Sequence, residues 1–402
     1  MRVRISSSLT RIHTISSLSS TPSRPSKHTS IPNSTLPQTP KPPHEPQYSS
    51  TINAEPLHRY TTSGYHPITL GSHLHQGRYK ILHKLGWGGY STVWAARDEQ
   101  EGKYVAIKIC VSENYSNRGH REMNILKSLD DAQHIVRMLD HFDVEGPNGI
   151  HPCLVLEMLG PSVSDLVEGR FADGRLPGFP YSQSGLHYTS YDNVPEDEFI
   201  NLLGKPDIGY VRCNDGGRLG TGIPEYIVRP ANIHSQSRPL SETIKIVDFG
   251  ESFQGDGAPK TLHTPLVVRA PEVIFKDHLD YRVDLWSLGC MLFELFVGQP
   301  PFDNFLITPK ILVEQMQEMA GEALPDRWVP LWESIRGENV TEAGGPGLQE
   351  WLEEMYFDSE RKEDLTRDDI VELGRIIRKL LRFEPGARAS VEEDLDEPCF
   401  RN

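Results

Sequence analysis

Between Tyr79 and Ile109 the chain passes through three short apolar runs, Tyr79-Lys80-Ile81-Leu82, Thr92-Val93-Trp94-Ala95 and Val105-Ala106-Ile107-Lys108-Ile109, parted by turn residues. Short runs rich in β-branched and aromatic residues read as neighbouring antiparallel strands. Arg121–Leu129 follows with Met123, Ile125, Leu126 and Leu129 at helical spacing, so one helix interrupts the strands. Beyond Pro265 the period is helical: Asp284–Phe296, Lys310–Ala320, Leu348–Met355 and Asp368–Leu381 carry apolar residues three and four apart. This order predicts an α+β chain of two lobes, a small antiparallel β lobe and a larger, mainly helical one. A chain of 402 residues can bury a core in each. No repeat of solenoid period is present.

Residues 1–56 differ from this pattern. They are rich in Ser, Thr and Pro, show no hydrophobic period and hold only Glu45 and Glu55 as acids, which predicts disorder. Arg2, Arg4, Arg11 and Arg24 among serines also suit a mitochondrial transit peptide. Because Pro22, Pro25 and Pro32 confine an amphipathic helix to roughly the first twenty residues, targeting is the minor reading, and an intracellular protein of cytoplasm or nucleus the main one. Leu285–Gly298 is the most apolar stretch, but it is 14 residues long and contains Ser287 and Glu294. It is too short and too polar to span a bilayer and predicts a buried helix.

The formal net charge of −15 argues against direct nucleic-acid binding and suits basic peptides or a metal-bound nucleotide, although solubility alone would explain it. The five cysteines, Cys110, Cys153, Cys213, Cys290 and Cys399, are far apart and form no Cys-x-x-Cys pair. Neither a disulfide framework nor a zinc site is expected.

Three local patterns carry chemistry. Leu85-Gly86-Trp87-Gly88-Gly89-Tyr90-Ser91-Thr92-Val93 is a glycine-rich turn between two predicted strands, where small residues let backbone amides approach phosphate oxygens. Alone it is weak evidence, since most such turns are plain hairpins and Ser91 stands where a third glycine would be. About one hairpin later, Lys108 in an apolar strand offers an ammonium to the same phosphates. Glu122 on the following helix can hold that lysine, more readily than Glu113 before the helix. Ile244-Lys245-Ile246-Val247-Asp248-Phe249-Gly250 reads as a strand ending in an acid suited to Mg²⁺.

Ala270-Pro271-Glu272, Asp284-Leu285-Trp286-Ser287-Leu288-Gly289 and Arg388 follow in order. Together with the glycine turn, Lys108 and Asp248-Phe249-Gly250, this set resembles the eukaryotic protein kinase domain from Tyr79 to the C-terminus. Lys84-Leu85-Gly86-Trp87-Gly88, Ser91-Thr92-Val93-Trp94, Gly64-Tyr65-His66-Pro67 and Leu156-Glu157-Met158-Leu159-Gly160-Pro161-Ser162 resemble its SR-protein kinase group. The resemblance implies a domain over 79–402, with an N-lobe at 79–160 and a C-lobe at 161–402 that carries an insertion at about 193–242. It implies ATP and Mg²⁺ as cofactors and serine or threonine of an Arg/Ser-rich protein as acceptor. It also implies a gatekeeper at Leu156, adenine-binding hinge backbone at Glu157 and Leu159, and a Glu272–Arg388 ion pair. Asp284 resembles the residue that anchors the catalytic loop.

In one respect the chain departs from the family. A long helix and a His-x-Asp loop, with Asp as base and Asn five residues later, should precede the metal-binding strand. The stretch between Pro161 and Asp248 is polar and turn-rich and shows no such helix or loop. Asp192 after His187 is a poor surrogate, because Asp197 occupies the asparagine's place. Asn201 and Asn232 have no better claim, so the base is unassigned. A nucleotide-binding pseudokinase or scaffold is the alternative to an active kinase.

Overall fold

The computed structural model describes residues 47–112, 118–129, 132–170, 175, 191, 194–231, 244–255, 257–302, 307–337, 345–358, 364–390 and 393. Its strands are β1 (Tyr48–Ser49), β2 (His73–Leu74), β3 (Tyr79–Gly88), β4 (Ser91–Asp98), β5 (Lys103–Cys110), β6 (Met138–Gly146), β7 (Gly149–Glu157), β8 (Ile208–Tyr210), β9 (Arg212–Cys213) and β10 (Tyr226–Val228). The helices are α1 (Arg118–Ser128), α2 (Val163–Arg170), α3 (Glu196–Leu203), α4 (Pro271–Ile274), α5 (Arg282–Val297), α6 (Pro309–Ala320), α7 (Val329–Arg336), α8 (Leu348–Tyr356) and α9 (Arg367–Leu380).

The N-lobe is a six-stranded antiparallel sheet in the order β2-β3-β4-β5-β7-β6. The period of two in β5 sorts its side chains between the two faces. Val105, Ile107 and Ile109 join Tyr79, Ile81, Trp94 and Val155 in one core. Ala106 and Cys110 join Leu154, Leu156 and the α1 residues Ile125 and Leu126 in the other. Lys108 lies between Ala106 and Cys110 in this alternation, so its side chain leaves the sheet toward α1.

The helical lobe is built around α5, where Val283, Trp286, Cys290, Phe293 and Val297, spaced three and four apart, are buried in the main core. The opposite side of α5 buries Leu285 against Ile376 and Leu380 of α9. A helix apolar on both sides is a core helix, as the composition of Leu285–Gly298 predicts. Gly298 ends α5 at φ 86° in the left-handed conformation that glycine adopts at low cost. Among the described residues no helix is long and apolar enough to cross a membrane.

The structure differs from the sequence reading in three places. Residues 47–56, expected within a disordered segment, are built into the fold: Tyr48 and Ser49 pair with Cys213 and Arg212, and Ala54 and Glu55 are buried. Ile244–Val247, expected as a strand, makes only an isolated bridge between Ile246 and Ile135. Ile244, Ile246 and Val247 are left exposed. Finally, α3, within the segment assigned as a C-lobe insertion, packs on the N-lobe. Phe199 and Leu203 of α3 share a core with Leu82, Ala95 and Tyr104, and the Phe199 ring stacks on Tyr104 at 3.7 Å between centroids.

Candidate nucleotide site

The β3–β4 hairpin pairs Gly88 with Ser91 and leaves Gly89-Tyr90 as its two-residue loop. A methyl group built on Gly88 or Gly89 would meet nothing within 4 Å, so the glycine-turn backbone faces open space. Gly86 and Trp87 lie in β3 opposite Val93 and Thr92, and Trp87 is exposed. Ser91, in place of a third glycine, is buried and opens β4. Leu85 and Val93 are half-buried against the cluster that holds Ala106, Leu156 and Phe249. Leu159 and Met158 pack on the same cluster, while Glu157 ends β7 with its side chain accepting from Lys245 Nζ at 2.5 Å.

Register then places the charges. Lys108 pairs with Val93 on one side and Leu154 on the other. Its ammonium donates to both carboxylate oxygens of Glu122 and to Asp248 Oδ1, each at 2.8 Å. Lys108 and Glu122 are buried, whereas 46% of the Asp248 side-chain surface is exposed. Burial alone would lower the Lys108 pKa, but the Glu122 and Asp248 carboxylates outweigh it and hold the ammonium well above its usual range. Lys108 is therefore a fixed cation. Glu113, His187, Asp192 and Asn232 lie outside the described residues.

Asp248 adopts φ 65°, a left-handed conformation costing on the order of 1–2 kcal/mol for a residue with a Cβ, and its neighbours hold it there. Phe249 is buried in the N-lobe core, and its N–H donates to Glu122 Oε1 at 3.2 Å. Arg121, which the sequence did not mark, donates to Gly250 O at 3.1 Å. Thus α1 presents two consecutive residues to the Asp-Phe-Gly turn, one accepting and one donating.

This donor set fits a metal-bound nucleoside triphosphate. A fixed cation and an open glycine backbone suit phosphate oxygens, and a partly exposed carboxylate beside them suits a hard divalent ion. Among the described residues of the N-lobe no base joins them. His141-x-Asp143-x-x-x-x-Asn148 matches the spacing of a kinase catalytic loop, but it forms the β6–β7 hairpin. There Asn148 is buried and donates to Tyr65 O and Gly222 O at 2.7 and 2.9 Å, a structural role. Asn201 lies in α3, on the N-lobe.

Away from the site, Arg388 Nη1 and Nη2 each donate to a carboxylate oxygen of Glu272 at 2.7 Å, with both side chains buried. Arg388 also donates to Arg282 O and Arg382 O, joining α4, the start of α5 and the chain after α9. Asp284 lies in the first turn of α5.

The sequence matches the family described as "Protein kinase domain" over residues 79–173 and 228–400. It is 27% identical over 396 residues to "Serine/threonine-protein kinase SRPK" of Physarum polycephalum, covering 84% of this chain and 89% of the relative. It is 33% identical over 241 residues to "Serine/threonine-protein kinase SKY1" of Saccharomyces cerevisiae, covering 57% of this chain and 29% of that one. Identity to human "SRSF protein kinase 3" is 39% over 109 residues, 25% of this chain and 19% of the relative.

Proposed function

This chain belongs to the protein kinase family, among serine/threonine kinases of the SR-protein kinase type, and we propose that it transfers the γ-phosphate of Mg·ATP to serine or threonine in Arg/Ser-rich proteins. The observation that carries the proposal is the placement of Lys108 between Glu122 and Asp248 beneath an open glycine turn.

Bound Mg·ATP supplies the phosphoryl group to be transferred. Lys108, held by Glu122, orients phosphate oxygens, and Asp248 carries the metal. The backbone of Leu85–Val93 cradles the triphosphate. Leu85, Val93, Ala106 and Leu156 provide apolar walls that exclude water from the adenine, and the backbone of Glu157 and Leu159 supplies its hinge contacts. Burial of Lys108 and Glu122 makes their charge interaction stronger than it would be in water. A net charge of −15 favours a basic acceptor.

A second reading, a nucleotide-binding pseudokinase, is favoured by one observation. The family match breaks between residues 173 and 228, where the base is expected, and within that interval Tyr191, Val194, Phe199 and Leu203 pack on the N-lobe residues Leu82, Ala95 and Tyr104, while Arg175 lies against Tyr356 of α8. Incubation with Mg²⁺, γ-labelled ATP and an Arg/Ser-repeat peptide separates the two. Labelled peptide supports the kinase; nucleotide binding without label supports the pseudokinase; absence of nucleotide binding contradicts both.

A further inference from the structure

Gly64-Tyr65-His66-Pro67 helped to place the chain in its group, yet none of the chemistry above uses it. In the structure Tyr65 is buried, and its hydroxyl donates to Gly88 O at 2.7 Å. The Arg59 guanidinium donates to the next carbonyl, Gly89 O, and lies over the rings of Tyr65 and Tyr90 at 5.5 and 6.0 Å. Gly64 makes this pairing fit: Tyr65 N–H donates to Arg59 O at 2.9 Å, and a Cβ on Gly64 would lie 1.9 Å from that oxygen.

The segment that carries these groups is itself anchored. Glu55 and Lys84 form an ion pair buried under it, and Lys84 sits 5.0 Å from the Trp94 ring centroid. Tyr60 donates to Glu55 at 2.5 Å, and Asn148 ties Tyr65 O to Gly222 O.

We propose that residues 55–65 form a strap that orients the glycine turn for a triphosphate, with Tyr65 and Arg59 as positioning residues. In a trans peptide the C=O and N–H point in opposite directions. Holding Gly88 O and Gly89 O on the strap side therefore turns the N–H groups of Gly89 and Tyr90 away from it. Consecutive glycines leave those two peptide planes otherwise loosely determined, and the strap removes that freedom before a nucleotide arrives. The gain falls on phosphate contacts and not on the nucleoside.

This inference rests on the nucleotide-site reading, and the test keeps the two apart. Dissociation constants for Mg·ATP and for adenosine are measured on the full chain, on Tyr65→Phe, which preserves the ring, and on Arg59→Met. Loss of one such hydrogen bond is expected to weaken Mg·ATP roughly three- to ten-fold and to leave adenosine unchanged in both variants. Equal weakening of the two ligands, or no change in either, overturns the strap. A parent protein that binds no Mg·ATP overturns the site reading itself, before any variant is compared.

Discussion

Lys108 Nζ lies 2.8 Å from each carboxylate oxygen of Glu122, with only 11% and 3% of their side-chain surfaces exposed. Removing one member of a buried pair strands the other's charge, whereas replacing both with apolar groups does not. Glu122→Gln keeps the shape, and Asp248 still accepts from Lys108. The expected loss in urea unfolding is therefore about 2–3 kcal/mol, below the usual cost of breaking a buried pair. The double variant Lys108→Met/Glu122→Leu should regain part of that stability, since Asp248 and the Phe249 N–H still lose their partners, while losing Mg·ATP affinity.

Arg388 and Glu272 test a pair with no role at the site. Arg388 spends its fork on Glu272 and two backbone carbonyls, which a lysine cannot reproduce. Arg388→Lys should cost about 2–4 kcal/mol in chemical unfolding. Mg·ATP affinity under native conditions should stay unchanged.

His66 provides a pH signature. Its ring packs 4.9 Å from His151, and burial, aided by His151, lowers its pKa from 6.5 to about 4. The unfolded chain takes up this proton near pH 6.5 and the native state only near pH 4. The native state is therefore fully favoured above about pH 6.5 and loses up to about 3 kcal/mol as pH falls toward 4. Urea midpoints between pH 7 and 4.5 should drop less steeply in His66→Gln than in the parent. Parallel slopes would mean His66 does not titrate in this window.

The stacking of Phe199 on Tyr104 fastens α3 to the sheet. Phe199→Ala should remove about 3–5 kcal/mol of packing. Hydrogen exchange should show it first as loss of protection in Glu196–Leu203, with β4 and β5 protected until global unfolding.

What the sequence shows of this molecule is what local spacing controls. The glycine turn, Lys108 on a period-two strand and Asp248 beside Phe249 each announce themselves within a few residues, and the fold brings Lys108, Glu122 and Asp248 together. Long-range pairing is not visible in this way. Residues 47–56 look structureless because their order comes from Arg212, Cys213 and Lys84, distant in sequence. Ile244–Val247 has the composition of a strand, but a strand needs a neighbour, and among the described residues a single bridge to Ile135 is all it finds. Arg59 and Arg121 act through backbone carbonyls of Gly89 and Gly250, contacts without a motif.

Binding of ATP with and without Mg²⁺ to the parent chain and to Asp248→Asn, measured by calorimetry, tests the assigned site most directly. The account predicts that Mg²⁺ strengthens ATP binding to the parent by at least about ten-fold and has little effect on the variant, since the amide is a poorer ligand for a hard cation. Affinity that ignores Mg²⁺ in the parent, or an Asp248→Asn variant as Mg²⁺-responsive as the parent, would contradict it.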